Sequence, residues 1–121
     1  MADGFKYVRL YADADGISHF EDVEVPLTDN GAASLLSETL KVNGLNFRRN
    51  RLDYNLDYHP APRRQFIVNL SGGVEITASD GEARIFGPGS IMLVEDTTGK
   101  GHISKSVGTE ERLSLFVHFP E

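Results

Sequence analysis

The sequence contains no cysteine. That removes both a disulfide framework and thiolate chemistry from consideration. Long apolar runs are missing as well. The longest uncharged stretch of that kind, Ser90-Ile91-Met92-Leu93-Val94, falls far short of the roughly 20 residues of a membrane-crossing helix. The start Met1-Ala2-Asp3-Gly4 has neither the basic residues nor the apolar stretch of a secretory leader. A cytoplasmic protein without membrane association is therefore expected, and Asn69-Leu70-Ser71 reads as a chance sequon. Basic charge is also in short supply. Twelve Lys and Arg against 18 Asp and Glu give a formal net charge of −6, whereas binding to nucleic acid or anionic lipid calls for a basic surface. The arginines that do cluster, Arg48-Arg49 with Arg51 and the pair Arg63-Arg64, read as solvated strand faces. No Ser-His-Asp pattern, phosphate loop or dinucleotide fingerprint occurs, and Gly72-Gly73 lacks the Lys-Ser/Thr that follows in a phosphate loop.

What the chain does have is alternation. With 121 residues, of which 40% are apolar, it suits one globular domain spanning residues 1–121, since domains commonly run about 100–150 residues. Apolar residues recur with period two in Lys6–Tyr11, Glu21–Leu27, Leu52–Tyr58, Gln65–Leu70, Val74–Ala78, Ala83–Phe86, Ile91–Val94 and Leu113–Phe119. Gly, Asp, Asn and Pro punctuate these runs, which is the pattern of an all-β sandwich or barrel. Pro26 marks its strand for a sheet edge. Ser79-Asp80-Gly81-Glu82 predicts a hairpin with a two-residue, positive-φ turn. Only Ala32–Leu40 has helical character, with Asp29 or Asn30 available to cap it. There is no solenoid-length repeat, low-complexity tract or linker.

Two blocks carry a resemblance. The first is His59-Pro60-Ala61-Pro62-Arg63-Arg64-Gln65-Phe66-Ile67-Val68-Asn69-Leu70-Ser71-Gly72, and the second runs from Gly87-Pro88-Gly89 through Ile91–Val94 to His102. Together they resemble the paired motifs of the cupin superfamily, and in particular its small single-domain members of uncharacterised function. In that superfamily the first motif holds two histidines one residue apart, then a glutamate and a closing glycine; the second holds a further histidine. His59 and His102 match motif histidines, Gly72 matches the glycine, Gln65 stands at the glutamate, and Ala61 takes the place of the second histidine. The resemblance implies a jelly-roll, double-stranded β-helix barrel with a small-ligand cavity.

It further implies a reduced metal site made of His59, Gln65 and His102, for a divalent transition metal such as iron, manganese, nickel, copper or zinc. Oxygenase or isomerase chemistry on a small molecule would follow, with Arg63 or Arg64 orienting an anionic substrate. The alternative is a non-catalytic binding or sensing module in which the same trio hydrogen-bonds the ligand directly. A third reading is a structural domain with a filled interior. Small cupins often pair, so a homodimer is expected.

Side-chain parity refines the neighbours. On the strand ending at His59, period two puts Asp57 and Asn55 on the histidine's face and Tyr58 opposite. His118 alternates away from the apolar set Leu113, Val117 and Phe119. Glu95 and Asp96 are read as turn or solvent-facing acids, with a base near the site as the other option. His19 is read as structural.

Overall fold

The computed structural model describes residues 5–120; the Met1–Gly4 start discussed above lies outside them. Most of the alternating sequence is extended, although Leu52 and Asp53, at the start of the Leu52–Tyr58 run, form a turn and the strand begins at Asn55. The strands are β1 (Phe5–Ala12), β2 (Ser18–Val25), β3 (Thr28–Asp29), β4 (Leu35–Leu36), β5 (Gly44–Asn50), β6 (Asn55–His59), β7 (Gln65–Ser71), β8 (Gly73–Ala78), β9 (Ala83–Phe86), β10 (Ile91–Val94), β11 (His102–Val107) and β12 (Arg112–His118). The described residues contain no helix, and so none long and apolar enough to cross a membrane.

Two sheets carry the fold. A six-stranded sheet runs β2-β1-β10-β7-β12-β5, and a four-stranded sheet runs β6-β11-β8-β9. All pairings are antiparallel except β1 with β10. Leu10, Ile67, Met92, Val94 and Phe116 from the larger sheet meet Val74, Ile76, Ala78 and Phe86 from the smaller in one buried cluster. The sheets thus face each other across a shared core, but their ladders do not join into a closed barrel. What ties β2 to the β8–β9 turn is local: Ser18 and Ser79 exchange backbone-to-hydroxyl bonds of 2.7 Å in each direction.

Three sequence expectations meet their detail here. β2 lies at the edge of its sheet, with Pro26 just beyond it, as a residue without an N–H donor requires. The Asp80-Gly81 hairpin forms with a three-residue loop instead of two: Ala78 N–H bonds Glu82 O at 2.8 Å, and Gly81, at φ 100°, is its positive-φ residue. The Asp80 side chain accepts from Glu82 N–H, which holds the longer turn. The helix expected at Ala32–Leu40 does not form. Asp29 and Asn30, which would have capped it, accept from Gly31 and Ala32 in tight turns at the tip of the β3–β4 hairpin. Such local side-chain bonds compete directly with helix initiation.

The larger sheet has unusual polarity. On β12 the buried positions are Arg112, Ser114 and Phe116, while Leu113 and Val117 face the other way. On β7 the buried positions are Gln65, Ile67 and Asn69. Polar residues therefore point into the molecule, and much of the apolar alternation lies on the outer face.

Candidate functional site

A cavity of ≈320 Å³ opens between the two sheets, and His59, Ala61, Gln65 and His102 all line it. Strand pairing explains the meeting of residues so far apart in sequence. His102, the first residue of β11, pairs directly with His59, the last of β6. Their rings stand 4.6 Å apart between centroids, tilted by 54°. Gln65 opens β7 on the opposing sheet, paired with Val94 and His118, and is only 4% exposed. Ala61, in the place of a motif histidine, is buried in the same lining.

Both imidazoles are anchored through Nδ1. His59 Nδ1 donates to the Asp57 carbonyl at 2.8 Å, so its Nε2 is the acceptor nitrogen. His102 Nδ1 bonds Asp96 Oδ2 at 2.6 Å, and Asp96 is wholly buried. A carboxylate or carbonyl behind the ring sets its tautomer and orientation. Neither Nε2 has a hydrogen-bond partner among the described residues, which leaves both for a ligand. Asp96, read from the sequence as a turn or solvent acid with a base near the site as the other option, is the residue that holds His102. Its neighbour Glu95 does something different: Arg9 and Arg64 both bind its carboxylate. Burial raises the Glu95 pKa, but the hydrogen bonds from the two arginines outweigh burial and lower it.

The rest of the lining is apolar apart from a second polar end. There Tyr54 Oη and Ser104 Oγ share a hydrogen bond of 2.9 Å, and Arg48 and Arg112 join them. Arg63 and Arg64 lie elsewhere. Arg64 grips Glu95, and Arg63 donates to His118 Nδ1 at 3.3 Å; neither lines the cavity. Asp57 and Asn55 are exposed and line a depression on the outside of the smaller sheet. The parity expectation fails because of a β-bulge. His102 pairs with His59 but Ser104 pairs with Leu56, so Asp57 and Tyr58 of β6 oppose Ile103 alone on β11. The extra residue flips the alternation, and Leu56 shares the cavity with His59 while Asp57 points away. A larger groove of ≈550 Å³ runs along β1 and β2, but its charged residues Lys6, Asp22 and Glu24 are exposed side chains at a sheet edge.

The implied metal meets a poor donor set. His59, His102 and Gln65 offer two neutral nitrogens and an amide oxygen, and the described residues hold no cluster of three or more His, Cys, Asp or Glu suited to a metal. A unit negative charge beside a divalent cation is worth on the order of 8 kcal/mol at 4 Å and an effective dielectric of 20, and this set lacks it. Arg112 adds positive charge to the same cavity. These residues do not fit a tightly held divalent ion. They do fit an organic ligand that offers and accepts hydrogen bonds.

No protein family matches the chain, and no curated protein does. Among solved structures it is similar to one described as ethanolamine utilization protein Q of Salmonella typhimurium LT2, with 14% identity, 97% of each chain covered and a TM-score of 0.41. A likeness this distant carries no argument about the present chain.

Proposed function

We propose that this chain is a small-molecule-binding domain of the cupin type, with His59, Gln65 and His102 at the polar end of the ligand cavity. The observation that carries the reading is a cavity of ≈320 Å³ whose lining includes Gln65, His102, Ser104 and Arg112, all buried. Of these groups Arg112 Nε is buried with no partner, which costs free energy that a ligand accepting from it recovers. A domain built only for structure would fill this space with apolar side chains. The two motif blocks support the cupin assignment, since the cavity gathers their four corresponding positions His59, Ala61, Gln65 and His102.

Direct hydrogen bonding by the trio is favoured over metal coordination by the donor set. Elemental analysis of untagged protein tests this, with His59→Ala and His102→Ala as companions. Less than a tenth of an equivalent of transition metal per chain is expected. Near one equivalent, lost in both variants, would overturn it.

The second reading is catalysis, and the His102–Asp96 pair favours it. A histidine oriented by a buried carboxylate is suited to take up and return a proton, as isomerisation requires. Oxygenase chemistry would draw on a redox metal, which this donor set does not suit. We also propose that the domain pairs with a second copy through the apolar outer face of the larger sheet.

A further inference from the structure

Arg112 is the charged group that the polar trio does not explain. It is 3% exposed, and one acceptor, Asn50 Oδ1 at 3.1 Å, serves its guanidinium. A guanidinium carries five N–H donors. Its Nε is buried with no partner, and no carboxylate lies within ion-pair distance of it among the described residues. Burial without a counter-charge, opposed by Tyr54 and assisted by Arg48, lowers its pKa to about 10. At neutral pH the group remains charged all the same.

The neighbouring arginines underline the contrast. Arg49 pairs with Glu111 and Arg51 with Asp53, both at the surface. Arg48 has no such acid; its guanidinium lies 4.5 Å over the Phe116 ring and lines the same cavity as Arg112. The buried Arg112 and the solvent-exposed Arg48 thus flank a largely apolar space whose lining holds no acid. A buried charge is stable only when paired, and here the pairing is left to whatever enters.

We infer that the cavity takes a small organic acid, its carboxylate against Arg112 and Arg48 and a second polar group at His59, Gln65 and His102. The inference rests on the ligand-cavity reading above and adds the ligand's chemical class. A carboxylate suits the planar fork of a guanidinium, and one negative charge matches the one fully buried arginine. The spacing between the two ends follows from β11. Ser104, bonded to Tyr54 at the arginine end, lies two residues from His102, which is about 7 Å along a strand. On that scale the ligand carries its acid and a neutral second polar group roughly 7 Å apart, as in a hydroxylated aromatic acid or a six-carbon hydroxy acid.

The test uses full-length protein labelled with ¹⁵N at arginine and histidine side chains. The probes are 4-hydroxybenzoate, 6-hydroxyhexanoate, their amides 4-hydroxybenzamide and 6-hydroxyhexanamide, and phenyl phosphate. At least one carboxylate should bind saturably, shift the Arg112 Nε–H signal, and bind at least tenfold more tightly than its amide. Arg112→Met should abolish that binding with a melting temperature no lower than wild type, because it removes an unpaired buried charge; Arg112→Lys should weaken it. A merely structural arginine would instead lower the melting temperature when lost. Equal binding of acid and amide, acid binding that survives Arg112→Met, binding of phenyl phosphate alone, or no carboxylate binding at 10 mM would each overturn the inference. If the amides bind in a His102-dependent way while Arg112→Met changes nothing, the cavity reading stands and the organic acid falls.

Discussion

Gly101 sits at φ +78°, and a Cβ there would run into the carbonyl of His59. This close approach lets His102 begin its strand in register with His59, so the glycine decides whether the two rings meet. Left-handed backbone alone costs an L-residue roughly 1–2 kcal/mol, and the clash comes on top. Gly101→Ala should therefore destabilise the protein by at least about 2 kcal/mol in urea unfolding. It should also disperse the two histidine ¹⁵N signals; an unchanged midpoint would show that the backbone contact is unimportant. Asp96 acts at the same scale. Replacing it with Asn should cost about 1–3 kcal/mol, as expected for a buried donor that loses its charged partner. It should also change the tautomer of His102, read from its ring nitrogen shifts.

His19, taken as structural from the sequence, finds its partners across space. Its Nε2 bonds Asp13 at 2.7 Å and its Nδ1 bonds Asp80 at 2.9 Å, so it links the β1–β2 and β8–β9 turns. The hydrogen bond with Asp13 raises its pKa above the ordinary 6.5, burial opposes, and Asp80 adds to the rise. A base with a raised folded pKa contributes stability that is complete below its unfolded value and is lost as pH climbs through the folded one. Urea midpoints should therefore decline from pH 6 towards pH 8, and His19→Asn should flatten that decline. A decline of equal size in the variant would remove His19 as its cause.

At the scale of elements, the bulge between β6 and β11 does what no alternation rule anticipates. Period two grouped Asp57 with His59, but the two-against-one pairing turns Asp57 to the outer face and puts Leu56, 42% exposed, in the cavity lining. Asp57 serves His59 through its carbonyl, not its carboxylate. Asp57→Ala should thus leave the cavity intact and shift stability by no more than about 0.5 kcal/mol, as for an exposed site. Leu56→Asp should place a carboxylate at the cavity mouth, within the lining that holds Arg48 and Arg112, and weaken binding of an acid ligand, whereas Asp57→Ala should not; equal binding by the pair would contradict the bulge. β12 teaches the same lesson from its polar side. Its sequence suggests an apolar face of Leu113 and Val117 turned inward, yet Arg112 and Ser114 occupy the buried face. His118 does lie off the Leu113 and Val117 side, next to Arg63.

At the scale of the whole molecule, that inversion leaves an apolar outer face. Phe47 is 83% exposed, with Leu45 and Leu113 about half exposed beside it on paired strands. The face continues to a depression of ≈400 Å³ lined by Phe66, Val68 and Val117 and bordered by Leu35, Leu36 and Leu40 of the β3–β4 region. Monomers rarely expose contiguous apolar patches beyond a few hundred Å². β5 is also an edge strand with open hydrogen-bonding groups. Sedimentation equilibrium at micromolar concentration should give a dimer mass. Phe47→Glu should shift it to monomer with unchanged circular dichroism, and a wild-type monomer across that range would end the pairing proposal.

Except for β5 and β11, where polar residues dilute the apolar period, the long strands were legible in the sequence because alternation is a local property. So were the positions of His59, Gln65 and His102, whose motif spacing depends on the strands and loops that bear them. Gln65 and Ala61, read as departures from the motif, both line the cavity. The sequence could not say which face of β7 or β12 looks inward, because that depends on how each strand lies against the opposite sheet. Nor could it find Arg112 or separate Asp96 from Glu95, since adjacent acids differ only once the chain has turned one into the core and the other towards two arginines. Tertiary packing decided those points: register, a bulge and burial converted similar polar residues into a buried charge, a histidine anchor and a surface ion pair.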